Sequence, residues 1–552
     1  MKKLSQFDCV IGVFVFAVLF LVSCHKTNDV TPSGNGTFKL TSASVDGKAA
    51  SGSLLYISVT PSFVLSFSEP LDETSAKATI SFSDGTPIKT TFSNNDSTVT
   101  VQPATSLKYL TSYSLVSNSL LKSKAGNSIT IGGFSISFKT QMDMSLKFPV
   151  ISDSSLIDLV QQQTLKYFYD FAETNSGMAR ERNTSGTTVT TGGSGFGMMA
   201  IVVGINRGWI SRSNGVAHVA KVVSYLEKAD RFHGAWSHWS DGSTGKVIPF
   251  GTNDDGADIV ETSYMIHGLL CVRQYLKASD TVGNNLINRI TKLYNDIEWN
   301  WFRKPAQENV LYWNWSPNYD FAVNVPVRGY NETLITYILA AGSSTNSIPV
   351  EVYQQGWAQS GTIKNGSTYY GHVLPLGQPY GGPLFFTQYS FLGFNPHVTD
   401  SYLNVNYWTQ NVNQTLINHD YCKANPKNYL YYSDSCWGLT ASDIPSGYGA
   451  QSPTNDNGTI SPTAAIASMP YTPAESMKAI RFFYYIMGDR LWGSYGFYDA
   501  FNLSQNWVAT STLAIDQGPI VVMLENYRTQ LLWKLFMSAP EVQAAQTKLG
   551  IN

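Results

Sequence analysis

The sequence predicts two dissimilar parts: a small all-β sandwich, then a larger all-α domain built as an α/α toroid or, alternatively, a multi-helix bundle. Three observations carry this. All 13 Trp lie after position 200, so composition changes abruptly along the chain. Between residues 36 and 141, short Ser/Thr/Val-rich runs alternate apolar and polar positions and are separated by turn formers, the pattern of half-buried strands. From Asp153 onward, apolar residues recur at helical spacing in many runs of similar length, the pattern of helices that bury one face.

Taken in order, the N-terminus reads as an export signal. Lys2 and Lys3 precede an apolar run from Val10 to Val22, too short for a comfortable membrane span of about 20 residues and suited to the apolar region of a secretory signal. The run ends Leu21-Val22-Ser23-Cys24, which resembles a bacterial lipobox. Residues 1–23 are then a lipoprotein signal peptide, Cys24 the lipidated residue, and the breaker-rich stretch 24–35 a tether. The expected location is the cell envelope, lipid-anchored and facing the periplasm or the outer surface, with no other membrane contact.

The runs FVLSFSE, ATISFS, TVTVQP, SYSLVS and FSISFKT, with the turns VDGK, SDGT, SNND and KAGN between them, give the sandwich at 36–141. The stretch FVLSFSEPLDETS with DSTVTVQPATSLKYLTSYSLV resembles bacterial Ig-like domains. The α domain, 150–552, opens with SSLIDLVQQQTLKYFYDFAE and continues through GFGMMAIVVGINRGW, VAHVAKVVSYLEKADRF, VETSYMIHGLLCVRQYLKA, NNLINRITKLYNDIEWNWF, NETLITYILAAGS, AESMKAIRFFYYIMGDRLW and GPIVVMLENYRTQLLWKLFMS. Gly-, Trp-, Tyr- and Asn-rich loops join them.

Charged residues are only 14% of the chain, aromatics 13%, and the net charge is −2. No basic surplus exists to neutralise phosphates, which argues against a nucleic-acid partner. Aromatic faces, amides and carboxylates suit a neutral oligo- or polysaccharide. Of the five cysteines, Cys422 and Cys436 lie in one loop-like segment of an exported chain and are candidates for a disulfide. No spacing resembles a metal site, no cofactor motif is present, and a monomer is expected.

Several acidic residues stand at helix mouths. Asp254, Asp258 and Glu261 fall at i, i+4 and i+7, one face of a helix, where like charges raise at least one pKa. Glu332 opens an apolar helix beside Arg328 and Tyr330, with Asn331 or Asn324 as the cap. Thr472-Pro-Ala-Glu475 matches a capping box. Asp499 and Asp516 sit just before or between helices. His233, His238 and Trp239 form an aromatic loop that suits sugar better than metal, and Trp313, Trp315 and Trp437 are further stacking candidates.

The motifs NDDGADIVETSYMIHGLL, RGYNETLITYILAAGSSTNSIP, YGGPLFFTQYSFLGFNP, WGLTASDIPSGYGA, NDNGTISPTAAIASMPYTPAESM and WGSYGFYDAFN together resemble the bacterial glycoamylase-like domain, which includes the β-1,2-glucanases of glycoside hydrolase family 144. The resemblance implies an (α/α)6 barrel and an inverting hydrolase of β-glucan, most specifically β-1,2-glucan, giving sophorose or short gluco-oligosaccharides, with no cofactor. It implies Glu332 as acid and Asp516 as base, with Asp254, Asp258 and Glu261 lining the neighbouring subsites; these roles can be permuted. A polysaccharide lyase on the same toroid and a non-catalytic glycan-binding lipoprotein are the rival readings.

Overall fold

The structure, a computed structural model, describes residues 38–276 and 281–552. The expected signal peptide and tether, with Cys24, lie outside the described residues. The chain divides into two compact units, one ending at Asp143 and the other beginning at Met144.

The first unit is a β-sandwich. One sheet runs in the order β2-β1-β4-β7-β6, with β1 Leu40–Val45, β2 Lys48–Ala49, β4 Phe63–Phe67, β6 Ile88–Ser93 and β7 Thr98–Pro103. The other runs β3-β9-β8-β5, with β3 Leu54–Ile57, β5 Ser81–Phe82, β8 Ser112–Val116 and β9 Ser135–Thr140. Alternation decides which side chains enter the core: in β4, Phe63, Leu65 and Phe67 are buried and Val64 and Ser66 less so. Phe63 packs tilted on Phe138 with ring centroids 5.2 Å apart. One short helix, α1 (Glu73–Thr79), is capped by Asp72, which accepts the N–H of Ser75 at 2.7 Å.

The second unit is helical. Its helices are α2 Asp153–Tyr169, α3 Thr191–Asn206, α4 Arg212–Leu226, α5 Ile259–Tyr275, α6 Thr281–Asn295, α7 Leu334–Gly342, α8 Tyr407–Ala424, α9 Pro462–Ile466, α10 Pro473–Arg481, α11 Gly488–Leu491, α12 Ala514–Thr529, α13 Leu531–Met537 and α14 Pro540–Leu549. They sort by burial. In α6 the buried residues are Gly283, Leu286, Ile290, Leu293 and Tyr294, one stripe of an outer helix. In contrast α3, α5, α7 and α12 are buried nearly all round. Helix α3 packs against α5 and α12, and α5 against α7. The pairings near their first turns (Glu261 with Gly192, Ser263 with Thr336, Ala514 with Gly193) place all four N-termini at one end.

Three helices of this unit lie outside the sequence expectation: the five-residue α9, α14 and α8. The α14 stretch follows Pro540 and packs on α7. The α8 stretch has no apolar stripe because its buried face is amide: Gln410, Asn411, Gln414 and Asn418 are all fully buried. They bind loop backbone as well as one another and the hydroxyls of Tyr330 and Tyr471. Gln410 accepts the N–H of Leu376 at 2.8 Å, Gln414 donates to Gly381 at 2.7 Å and Asn418 accepts Leu439 N–H at 3.0 Å. Buried amides are tolerated when each finds a partner. This helix also overturns the expected disulfide. Cys422 is in its last turn, and Cys422 and Cys436 are both buried free thiols.

Candidate active site

Asp258 is the N-cap of α5. Its Oδ1 accepts the N–H groups of Val260 and Glu261 at 3.0 and 2.9 Å, two of the donors that a helix start leaves open. Its Oδ2 accepts from Trp313 Nε1 at 3.1 Å and pairs with His238 Nδ1 at 2.9 Å. Because Asp258 takes the cap, Asp254 lies before the helix and not on its face, contrary to the i, i+4, i+7 reading. Asp254 is held there by Asn314 Nδ2 at 2.9 Å. Glu261, in the first turn, reaches α3: its Oε2 accepts the N–H of Gly192 at 2.6 Å. Only glycine fits at 192, since a Cβ there would stand 2.6 Å from that oxygen.

Burial works against a charged His238, but Glu261, Asp258 and Asp254 overcome it and push its pKa up to about 9. Burial, aided by Asp258, lifts Asp254 to about 6. Burial also raises Glu261, with His238 opposing and Asp258 adding to the rise. This corner is therefore an acidic cluster partly offset by the His238 cation at a helix N-terminus, where the dipole favours anions.

Glu332 stands two residues before α7. Thr333 is the N-cap residue but its side chain makes no capping bond; it donates instead to Asn331 Oδ1 at 2.6 Å, which also accepts Thr333 N–H at 3.1 Å. Ser390 Oγ and Tyr264 OH both donate to the main-chain carbonyl of Glu332. Its Oε2 is buried without a hydrogen-bond partner among the described residues, and burial pushes its pKa up to about 7. Asp516 is in the first turn of α12, not at the cap, and Gln517-Gly518-Pro519 continues the helix. Both its carboxyl oxygens are buried and unpartnered among the described residues. Burial first, then Asp499, holds its pKa well above the carboxylate range. The Tyr389 ring, fully buried in the packing between these helices, feels both Asp516 and Glu332.

These carboxyls give a prediction. Glu332, Asp499 and Asp254 have folded pKa values above those of the free side chain. A raised carboxyl stabilises fully below its unfolded value and loses that contribution as pH rises through the folded one. Protonated His238 loses its contribution in the same direction, through about 9. The melting temperature is therefore expected to fall steadily from mildly acidic pH through neutrality to about pH 9. Glu332→Gln should be the more stable protein on the alkaline side, by up to roughly 3 kcal/mol. Calorimetry over that range checks it; a flat profile would count against buried, proton-holding carboxyls.

The remaining sequence candidates divide. Trp313 joins the cluster through Asp258, and Trp315 pairs with Ala257 beside it. Trp315 meets His233 edge-on at 4.6 Å, and His233 stacks on Trp301 at 3.8 Å. His238 stacks on Phe250 at 4.0 Å with Trp239 edge-on to Phe250 at 4.8 Å. Two partly exposed aromatic surfaces thus border Asp258. Arg328 is exposed. Three expectations are corrected. Tyr330 is buried and donates to Asn411 at 2.5 Å, so it is not an open floor. Trp437 is fully buried, its indole N–H on the Glu475 carbonyl at 3.2 Å, so its ring cannot stack on a sugar. Thr472 makes no capping bond, so the Thr472–Glu475 capping box does not form.

Tyr264, Tyr389, Tyr448, Asp443 and Arg182 escaped the sequence reading. Tyr264 had a signal, lying three residues after Glu261 on the same helix. Tyr389 and Asp443 lay inside quoted motifs without a charge pattern to mark them. Among the described residues no group of His, Cys, Asp or Glu could hold a metal ion.

Residues 324–540 match the family model described as "Putative glucoamylase", and residues 44–140 match the bacterial Ig-like domain. An exo β-1,2-glucooligosaccharide sophorohydrolase (non-reducing end) of Parabacteroides distasonis is 46% identical over 422 residues, 72% of this chain. The chain spans 58% of that relative's length. A solved endo-β-1,2-glucanase from Chitinophaga pinensis, complexed with sophorotriose and glucose, is 53% identical with a TM-score of 0.71, over 73% of this chain and 99% of that one. A solved β-1,2-glucanase from Parabacteroides distasonis is 36% identical with a TM-score of 0.71, over 94% of this chain and 74% of that one. At 53% identity over 73% of its length to a solved relative that it covers almost end to end, the chain belongs to the bacterial glycoamylase-like family and carries an Ig-like domain ahead of the family's own.

Proposed function

We propose that this chain is an inverting glycoside hydrolase of β-1,2-glucan, releasing sophorose or short gluco-oligosaccharides. The observation that carries the chemistry is the pair Glu332 and Asp516. Each offers a buried carboxyl oxygen without a hydrogen-bond partner among the described residues, at the start of an inner helix. Inversion needs an acid and a base on opposite sides of the bond, with room for a water. Glu332, protonated near neutrality, gives its proton to the leaving oxygen. Asp516 takes a proton from the water that attacks the anomeric carbon. Asp258, Asp254 and Glu261, with the His238 cation among them, bind hydroxyls of the adjoining sugar. The aromatic surfaces at Trp315 and Trp239 stack on pyranose faces.

The substrate class rests on relatives that act on β-1,2-linked glucans. We further infer that the helical unit closes as an (α/α)6 barrel. The inner helices α3, α5, α7 and α12 and the outer stripe of α6 support that reading. The chain acts as a monomer in the cell envelope, anchored through Cys24, for which Lys2, Lys3, the Val10–Val22 run and Leu21-Val22-Ser23-Cys24 are the grounds.

The test is product analysis on β-1,2-glucan beside starch, β-1,3-glucan and β-1,4-glucan. New reducing ends from β-1,2-glucan alone, released as the α-anomer, are expected. Release as the β-anomer would exclude inversion, and an ultraviolet-absorbing unsaturated end would mean a lyase.

A further inference from the structure

A short hairpin pairs Thr368 with Val373 and Tyr369 with His372. Its two-residue turn is Tyr370-Gly371, with φ of 50° and 87°. Turns with positive φ at both central positions match the twist of the strands and favour Asn-Gly or Asp-Gly. A tyrosine at the first position is disfavoured by its Cβ and ring, and residues held against such a preference gather at functional sites. The ring of Tyr370 is 40% exposed. Its centroid lies 6.2 Å from that of Tyr380, itself left-handed at φ 61°, and Tyr380 lies 4.2 Å from Tyr369. Three tyrosines therefore meet at the surface of the helical unit, apart from the acidic cluster at Asp258.

The patch stands on a fixed support. Asn413 of α8 donates to the Val373 carbonyl at 2.7 Å, and Asp420 of α8 pairs with His372 Nε2 at 2.9 Å. Gln414 of the same helix donates to Gly381, beside Tyr380, at 2.7 Å. A run of aromatic rings joins the patch to the proposed site of cleavage. Ser390 donates to the main-chain carbonyl of Glu332, and Tyr389 precedes it. Phe385 packs on Tyr389 with ring centroids 5.2 Å apart and on Phe386 at 4.8 Å. Both phenylalanines are half-buried. Phe386 borders Gly382, where an added Cβ would stand 3.0 Å from its ring. Tyr380 is two residues from Gly382 along the chain.

We propose that Tyr369, Tyr370 and Tyr380 form a second carbohydrate site outside the cleft, which holds a distant stretch of the glucan chain that is cut at Glu332 and Asp516. This rests on the reading of the substrate as β-1,2-glucan. A tyrosine ring presents a negative face, and the C–H groups of a pyranose face are weakly positive, so each ring stacks on a neutral sugar without a charged partner. Because the hairpin is pinned to α8, little ordering is lost when a sugar lands on it. Tethering one stretch of a chain raises the effective concentration of its remaining bonds at the cleft. That gain exists only for a chain long enough to reach both places, so a short oligosaccharide draws nothing from the patch.

The full chain and its Tyr370→Ala, Tyr380→Ala and Tyr370→Phe variants are compared on β-1,2-glucan and on the linear tetrasaccharide of the same linkage. Each alanine variant is expected to raise KM on the polymer by about five-fold, the scale of one lost aromatic contact. Its kcat on the polymer and both constants on the tetrasaccharide should stay at the parent's values. Tyr370→Phe keeps the ring and should match the parent throughout. Binding is read without turnover from migration in native gels containing β-1,2-glucan, with Glu332→Gln added to every protein. The gel should retard the Glu332→Gln chain and retard it less once either alanine is present. Unchanged polymer KM and unchanged retardation in both alanine variants would overturn the proposal. An equal rise in KM for polymer and tetrasaccharide would place the tyrosines in the cleft or its support, and overturns it as well. Should Tyr380→Ala not fold, Tyr370→Ala alone decides. A parent that cleaves no β-1,2-glucan would instead overturn the function beneath the proposal, while the gels still decide whether the tyrosines bind the polymer.

Discussion

Glu332→Gln is expected to lower kcat on β-1,2-glucan by about 1,000-fold, within the range that a positioned general acid contributes. Glutamine keeps the shape of the side chain, and Ser390 and Tyr264 hold the main-chain carbonyl, not the carboxyl. The fold and the KM should therefore survive. Loss of kcat and kcat/KM in equal measure marks an interaction made only in the transition state. A sophorosyl substrate whose leaving group needs no proton should recover most of the rate in Glu332→Gln. The same substrate should rescue Asp516→Asn far less, because the attacking water still needs its base. Rescue of Asp516→Asn rather than Glu332→Gln would show that the acid and base have been assigned the wrong way round, and equal rescue of both that neither acts alone. The alkaline limb of the wild-type profile should follow the Glu332 proton, which is lost near pH 7, and should vanish in Glu332→Gln.

Much of this arrangement was legible in the residues. Period-2 runs found the sandwich because a half-buried strand must alternate. Apolar runs such as LITYILAA and MIHGLL found α7 and α5 because inner helices are buried all round. What failed was subtler. Helix α8 was invisible because its buried face is Gln410, Asn411, Gln414 and Asn418, which hold loop backbone, and apolar periodicity does not register amides. Asp254 was misplaced because the i, i+4, i+7 count ignored a competing signal: Asp258-Ile-Val-Glu261 has the spacing of a capping box, and it starts the helix at Ile259. Glu332 and Asp516 were found as acidic residues at helix mouths. Their partners were not, since Asp443, Arg182 and Tyr448 are brought to Asp499 and Asp516 by tertiary packing that no local pattern encodes. Trp437 was misread because an indole in a Gly-rich loop looks like a sugar platform until its burial is known.

The largest loss of stability is expected from Gly268→Ala. Replacing glycine by alanine inside a helix ordinarily stabilises by about 1 kcal/mol. Here the sign reverses. Helices α3 and α5 touch backbone to backbone, and a Cβ on Gly268 would stand 2.0 Å from the carbonyl oxygen of Gly195. A Cβ on Gly195 would meet the Tyr264 carbonyl oxygen at 2.2 Å. No rotamer relieves a clash with backbone, so the helices must separate, and overpacking of this kind costs about 3 kcal/mol. Separation also draws Glu261 away from Gly192 N–H and tilts the mouth of α5, which carries Asp258. Activity should therefore fall even in the fraction that remains folded. Gly361→Ala is the control, because a Cβ there meets nothing within 4 Å and its cost is only that of a positive φ of 89°. Thermal unfolding of both variants, with kcat measured well below each transition, separates the effects. A Gly268→Ala protein as stable as the parent would mean that α3 and α5 do not approach so closely, and the convergence of helix N-termini on one site would lose its main support.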